Sequence, residues 1–170
     1  MFVFGNAEDV FAMAVRIEEN GNAFYTGAMK RANDPGLKKL FEDLAAMEEG
    51  HIAAFKALRA EVIKSSPAIG VWDPEGLAEA YLQVTADSHI FTLEEATSRL
   101  AKIRSVLDAL DVALQFERDS VAFFVGMQKM LPDVEGKNKI DVLIQSEMDH
   151  IRMISAVKKR FASGGEPSLF

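Results

Sequence analysis

Two copies of a short polar motif, Glu-x-x-His, interrupt the apolar pattern of the sequence. The first copy is Glu48 with His51, and the second is Glu147 with His150. Residues three positions apart on a helix point the same way, so each copy presents a carboxylate beside an imidazole. Carboxylate oxygen and imidazole nitrogen are common ligands of first-row metal ions. A single copy occurs by chance in many helices, but two copies together predict a metal site.

Two further glutamates, Glu18 and Glu117, also lie on apolar stripes. Around Glu117, the positions one and two turns away are apolar, and Glu18, Glu48 and Glu147 have broadly similar surroundings. All four carboxylates are therefore predicted to face the core. An ionised carboxylate in a dry core costs several kcal/mol unless it is paired. No Lys or Arg on the matching stripes supplies such a partner.

The four glutamates and two histidines are predicted to lie in one layer. Each lies near the middle of its predicted helix, and mid-helix positions share one level in a bundle of similar-length helices. Two divalent cations would balance the charge of the four carboxylates. The alternative is a set of buried carboxylates that are neutralised by protonation, with raised pKa values, or by water.

Four long helices that position these residues are predicted from their terminal signals. Asp34-Pro35 is an N-cap followed by a first-turn proline. Ser105 precedes another helix, with Asp108 in capping-box position, and Asn6 with Asp9 suggests the same at the first helix. The predicted spans are about residues 7–31, 35–64, 106–131 and 134–161.

The connections between the helices predict the fold class. Short turns join the first and second helices and the third and fourth, whereas roughly residues 66–105 connect the two pairs. Lesser helical candidates within this connection follow Asp73-Pro74 and Thr92. We therefore expect an all-α four-helix bundle made of two αα-hairpins joined by a long, partly helical crossover, with residues 1–170 as one domain.

The two hairpins are repeats of each other. A shift of 99 positions places Glu18 on Glu117, and it places both residues of the first Glu-x-x-His motif on those of the second, without a gap. A gapless internal repeat predicts a pseudo-twofold bundle. His89 lies outside the repeat and is interpreted as a surface or loop histidine.

These motifs resemble the rubrerythrin-like branch of the ferritin-like superfamily, in residues 17–25, 40–51, 116–120 and 147–150. The resemblance covers the chain except the crossover. It implies a di-iron protein with two iron ions, for which manganese or zinc are potential substitutes, that reacts with peroxide or dioxygen. It also implies one histidine per metal, His51 and His150. The implied terminal ligands are Glu18 and Glu117, and the implied bridging ligands are Glu48 and Glu147.

The sequence departs from the rubrerythrin pattern at two points. It contains no cysteine and hence no rubredoxin-like domain, so a separate electron-donor protein is expected. Ser120 stands where peroxidase-type rubrerythrins carry an additional glutamate ligand. We expect this serine to limit peroxide reduction. Tyr25 either hydrogen-bonds a ligand or is a plain core aromatic, and its repeat-related residue is Phe124.

Composition and hydropathy limit the partners and the cellular location that this protein can have. The 170 residues carry a net charge of −7 and have a pI of about 5.0, which disfavours a nucleic-acid partner. No apolar run is long enough for a membrane span, and none resembles a signal peptide, so a cytoplasmic protein is expected. We also expect a homodimer.

Two functions remain open. One is a redox enzyme of the peroxidase, oxidase or ferroxidase type, and the other is an iron-handling or structural metal protein without turnover.

Overall fold

The computed structural model describes residues 7–65, 76, 80–82, 93–131 and 134–163. Residues 80–82 are helical, and the described residues contain no strand, which confirms the all-α prediction. The longer helices are α1 (Ala7–Arg31), α2 (Pro35–Ser65), α3 (Leu93–Lys102), α4 (Val106–Met130) and α5 (Val134–Ala162).

The helix ends follow the capping signals where they are described. The Asp34 carboxylate accepts a hydrogen bond from the Leu37 N–H at 2.8 Å, so Asp34 caps α2. Ser105 and Asp108 form a complete capping box at the start of α4. Asn6, Thr92, His89 and the candidate helix start at residues 73–74 lie outside the described residues.

The helices pack as two hairpins that meet face to face. α1 packs along α2, and α4 packs along α5, while α1 contacts α4, α2 contacts α5, and α3 lies against α1. Helix α4 begins 99 residues after α1, and helix α5 begins 99 residues after α2, which is the period of the repeat. The observed bundle therefore has the predicted arrangement of two repeated hairpins.

Buried apolar residues form two clusters, one toward each end of the bundle. One cluster combines the first half of α1 and the second half of α2 with the second half of α4 and the first half of α5, and includes Phe11, Phe55 and Phe124. The other combines the opposite halves and includes Tyr25 and Phe41. The six buried polar residues of the predicted site lie at the level between these two apolar clusters.

Side chains of the crossover pack against two repeat-related glycines. A Cβ added at Gly126 in α4 would lie 2.6 Å from the Tyr81 ring and 2.8 Å from Leu82. A Cβ added at Gly27 in α1 would meet the end of the Leu100 side chain, from α3. The missing side chains therefore allow crossover residues to pack closely against both halves of the bundle.

Candidate metal centre

The six predicted ligands come together at the centre of the bundle. α1 contributes Glu18 and α4 contributes Glu117, while α2 and α5 each contribute one Glu-x-x-His pair. Their side chains are buried, with exposed fractions between 0% and 7%. The prediction that these residues meet in one layer is confirmed.

Potential ligand atoms form two overlapping groups. Within each group, one ligand atom from every residue lies within 4.8 Å of the others. The imidazole rings of the two histidines stack, with their centroids 5.2 Å apart. The first group consists of Glu18, Glu48, His51 and Glu147, and the second consists of Glu48, Glu117, Glu147 and His150.

In the first group, one imidazole nitrogen faces three carboxylates. His51 Nδ1 lies 2.7 Å from Glu147 Oε1. It lies 3.3 Å from Glu48 Oε2 and 3.4 Å from Glu18 Oε2. The side chains thus converge on one small volume, with three oxygens and one nitrogen turned inward.

The second group repeats this arrangement around the other histidine. His150 Nδ1 lies 3.0 Å from Glu147 Oε2, 3.4 Å from Glu117 Oε2 and 3.7 Å from Glu48 Oε1. Glu48 and Glu147 therefore each direct one oxygen toward each histidine. This split is the arrangement that a carboxylate needs to bridge two cations.

Buried atoms of this layer lack well-aligned hydrogen bonds. Among the described residues, several buried polar atoms without a partner belong to the site. Such atoms carry a desolvation penalty of about 1–3 kcal/mol each, which coordination to a cation would remove. The residues present therefore fit a pair of metal ions. The partnerless site atoms are Glu18 Oε1, Glu48 Oε2, both carboxylate oxygens of Glu147, His51 Nδ1 and His150 Nε2.

Burial raises the pKa of three of the four carboxyl groups. The pKa of Glu18 rises from 4.5 to about 7 because burial, and then the nearby charge of Glu147, disfavour its ionised form. Burial and neighbouring carboxylates also raise the pKa values of Glu48 and Glu117 well above their ordinary value. These shifts agree with the expectation for buried carboxylates without cations.

Glu147 is an exception to that expectation. Burial alone would raise its pKa, but the close approach of the His150 and His51 imidazoles outweighs this effect and lowers the pKa below its usual range. Burial likewise opposes protonation of His150, yet contacts with Glu117 and Glu147 raise its pKa to about 10. The pKa of His51 is also raised, by Glu147, Glu18 and Glu48, against the effect of burial. In the absence of metal, an ionised Glu147 thus lies between two imidazolium rings.

Tyr25 makes the hydrogen bond that was one of its two predicted roles. Its side chain is completely buried, and its hydroxyl donates to Glu117 Oε1. Phe124, the repeat-related residue, has no hydroxyl to offer to Glu18. Tyr25 therefore orients one candidate ligand of the second group.

Sequence reasoning missed Ser146. Its Oγ lies 2.9 Å from Nε2 of His51, the nitrogen that faces away from the carboxylates. A signal was present in the sequence, because the repeat pairs Ser146 with Met47 one turn before each histidine, and the two residues differ in chemistry. A difference between the repeat halves next to a predicted ligand therefore indicates a residue that supports that ligand.

The bundle and its central cluster of carboxylates and histidines define a class, the ferritin-like helical proteins with potential metal sites. Within this class the chain belongs to the rubrerythrin family, whose family model matches residues 9–158. A crystal structure from Thermotoga maritima, described as that of a ferritin-like diiron-carboxylate protein, shares the fold with a TM-score of 0.66. That similarity has 22% sequence identity and covers 94% of this chain and 98% of the other.

No curated protein sequence matches the chain significantly. In the part of the chain that the structure describes, no helix is long and apolar enough to cross a membrane.

The two shared carboxylates provide a test of the paired site. Replacing Glu48 and Glu147 together by glutamine should abolish binding of both metal ions, because each group loses two of its four candidate ligands. Glu49→Gln is the matched control, since Glu49 is exposed on the same helix. Iron and cobalt contents are measured after anaerobic loading and gel filtration. Stoichiometric metal in the double variant would show that the ligands lie elsewhere.

The metal-free protein should lose stability as pH rises. The pKa of Glu18 is about 7 in the folded state against 4.5 ordinarily, so its contribution is complete below about pH 4.5 and is lost through pH 7. The contribution of His150 is complete below about pH 6.5 and is lost toward pH 10. Glu147 acts in the opposite direction, but only as pH falls below about 4.5.

We therefore expect the free energy of unfolding to decrease by a few kcal/mol between about pH 5 and pH 9. Chemical unfolding in the presence of a chelator measures it. Glu18→Gln, which removes one titrating group, should flatten the decrease between about pH 5 and pH 7. A profile that is level or rises over this range would contradict the assignment of the raised pKa values.

Proposed function

We propose that this protein binds two iron ions at its centre and is a redox protein that reduces peroxide or dioxygen. The observation that carries the proposal is the position of Glu48 and Glu147, which each direct one oxygen toward either histidine. Such shared carboxylates hold two cations close together, and adjacent iron ions supply two electrons to one oxidant molecule.

The structure supports a role for each residue of the proposed site. Glu48 and Glu147 would be the ligands shared by both ions, and His51 and His150 would each hold one ion through Nδ1. Glu18 and Glu117 are then the terminal ligands, because each belongs to only one of the two groups. Four carboxylates balance two divalent cations, so binding of the ions would leave the buried layer neutral.

Iron suits this set of ligands. Carboxylate oxygen combined with imidazole nitrogen accommodates iron(II), and the same ligands also accept manganese(II) or zinc(II). The structural relative from Thermotoga maritima is described as a diiron-carboxylate protein, which supports iron. Because the chain has no cysteine, the proposed turnover requires electrons from a separate donor protein.

The protein's own groups would keep the reaction away from bulk water. Phe55 and Phe124 pack with ring centroids 4.8 Å apart in one apolar cluster, and Tyr25 packs against Phe41 at 6.2 Å in the other. Both clusters adjoin the polar layer. Tyr25 would hold Glu117 in place through its hydroxyl. Its pKa is raised well above the ordinary value by burial and by Glu117, so it stays a hydrogen-bond donor at neutral pH.

Anaerobic loading with iron(II), followed by oxygen or peroxide, tests the redox function. We expect oxidation within seconds, with new absorption in the near-ultraviolet, and no such change in the Glu48→Gln, Glu147→Gln protein. Glu49→Gln should behave as wild type, since its side chain is exposed. Two ions that bind but are oxidised no faster than free iron(II) would favour the second candidate, a metal-binding protein without turnover.

For the reaction with peroxide, the residue at position 120 favours the second candidate function, metal binding without turnover. Ser120 is buried one turn after Glu117, and its hydroxyl donates to the Phe116 backbone carbonyl at 3.1 Å. At the repeat-related Gly21, an added Cβ would lie 3.5 Å from Glu48 Oε1. By the pseudo-twofold symmetry, a side chain at 120 starts beside Glu147. Serine has no carboxylate to offer there, and its hydroxyl is already bonded within its own helix.

Ser120→Glu should therefore accelerate oxidation of the iron(II)-loaded protein by peroxide at least severalfold. The added carboxylate can reach the layer from the same helical face as Glu117 and would stabilise the more positive oxidised ions. Ser120→Gln is the matched control, because it has the same shape without the charge. Stopped-flow absorbance with peroxide measures the rates. If wild type and Ser120→Glu react equally fast with identical spectra, position 120 does not limit peroxide reduction.

A further inference from the structure

The two histidines of the site have different surroundings. His51 Nδ1 faces the carboxylates of the first group, and its Nε2 is 2.9 Å from Ser146 Oγ. When Nδ1 binds a cation, the single proton of a neutral imidazole resides on Nε2. Ser146 is placed to accept that proton in a hydrogen bond, which would hold the ring in its ligating orientation.

His150 has no equivalent support. Its Nδ1 faces the second group in the same way, but its buried Nε2 has no hydrogen-bond partner among the described residues. The repeat explains the difference, because the position on α2 that corresponds to Ser146 on α5 is Met47. A thioether offers an N–H only a weak acceptor.

A second difference between the groups acts in the same direction. Tyr25 donates a hydrogen bond to Glu117, which draws electron density from a terminal ligand of the second group. The first group has Phe124 at the corresponding position, so Glu18 keeps its full donor strength. A partner that accepts a hydrogen bond from a ligating imidazole, by contrast, raises the basicity of that ligand.

We propose that Ser146 is a positioning residue that makes the two metal positions unequal. The first group binds its ion tightly through the Ser146-supported His51, and the second group, with an unsupported His150, binds its ion more weakly. This inference rests on the proposed two-metal site. It assigns the second group as the weaker of the two positions, which fills last and loses its ion first.

The physical basis is the cost of a buried N–H without an acceptor. When an ion binds at the second group, the buried His150 Nε2–H has no acceptor in the described part of the chain, whereas the His51 Nε2–H has Ser146 Oγ as its acceptor. Outer hydrogen bonds to ligating histidines typically change metal affinity by about 10- to 100-fold. The two affinities should therefore differ by roughly that factor, which is enough to resolve two binding steps.

Titration with cobalt(II), followed by visible absorption and calorimetry, tests the inference. Wild type should bind two ions in two steps, the first about 10- to 100-fold tighter. Ser146→Ala should weaken the tight step by a similar factor, so that the two steps merge. Met47→Ser should strengthen the weak step, because it supplies the missing acceptor, whereas Met47→Leu should leave both steps unchanged. A gain of affinity in Met47→Ser cannot result from misfolding.

Proton NMR at one equivalent of cobalt(II) supplies a readout of the bond itself. We expect one shifted, slowly exchanging imidazole N–H signal, which disappears in His51→Gln and exchanges faster in Ser146→Ala. Two equally tight sites in wild type, or an unchanged titration in both Ser146→Ala and Met47→Ser, would overturn this inference and leave the two-metal site standing. Absence of any cobalt binding in wild type would overturn the proposed function together with it.

Discussion

The burial of six ionisable side chains at one level of an apolar bundle is the constraint on which the remaining structure depends. Four carboxylates this close repel one another, and each loses hydration, so they persist only with protons or cations between them. Without metal, the two histidines compensate part of the charge, and Glu147 lies between them as the ionised member. Metal ions would replace those protons, which couples metal affinity to pH and to folding. The two apolar clusters on either side stabilise the fold and offset the free-energy cost of burying the polar layer.

Internal duplication explains how one chain supplies two matching sets of ligands. The pseudo-twofold relation brings Glu48 and Glu147, from α2 and α5, to positions shared by both groups. Divergence of the repeat then distinguishes the groups through the residues next to the ligands. The repeat pairs Tyr25 with Phe124, Met47 with Ser146, and Gly21 with Ser120. Each pair places a polar side chain on one side of the site only, so an almost symmetric ligand set acquires unequal surroundings.

Membership of the rubrerythrin family and the shared fold agree with the chemistry of this centre. The local features that depart from the family pattern are those that the proposed function must accommodate. Ser120 offers no carboxylate, and its hydroxyl is engaged with Phe116. The sequence contains no cysteine, and the proposed function therefore relies on a separate electron donor.

The sequence alone determined the helices, the repeat and the identity of the six polar residues in the core. These features depend on local signals, such as the Asp34 and Ser105 caps, and on helical periodicity, both of which are visible in neighbouring residues. The tertiary structure alone decided which oxygen faces which histidine, the depressed pKa of Glu147 and the hydrogen bond between Ser146 and His51. Those properties arise between helices that are distant in the chain, where rotation of a side chain by one rotamer changes its partner. Periodicity specifies the buried face of a helix, but the partner atoms across that face are set by how the helices pack.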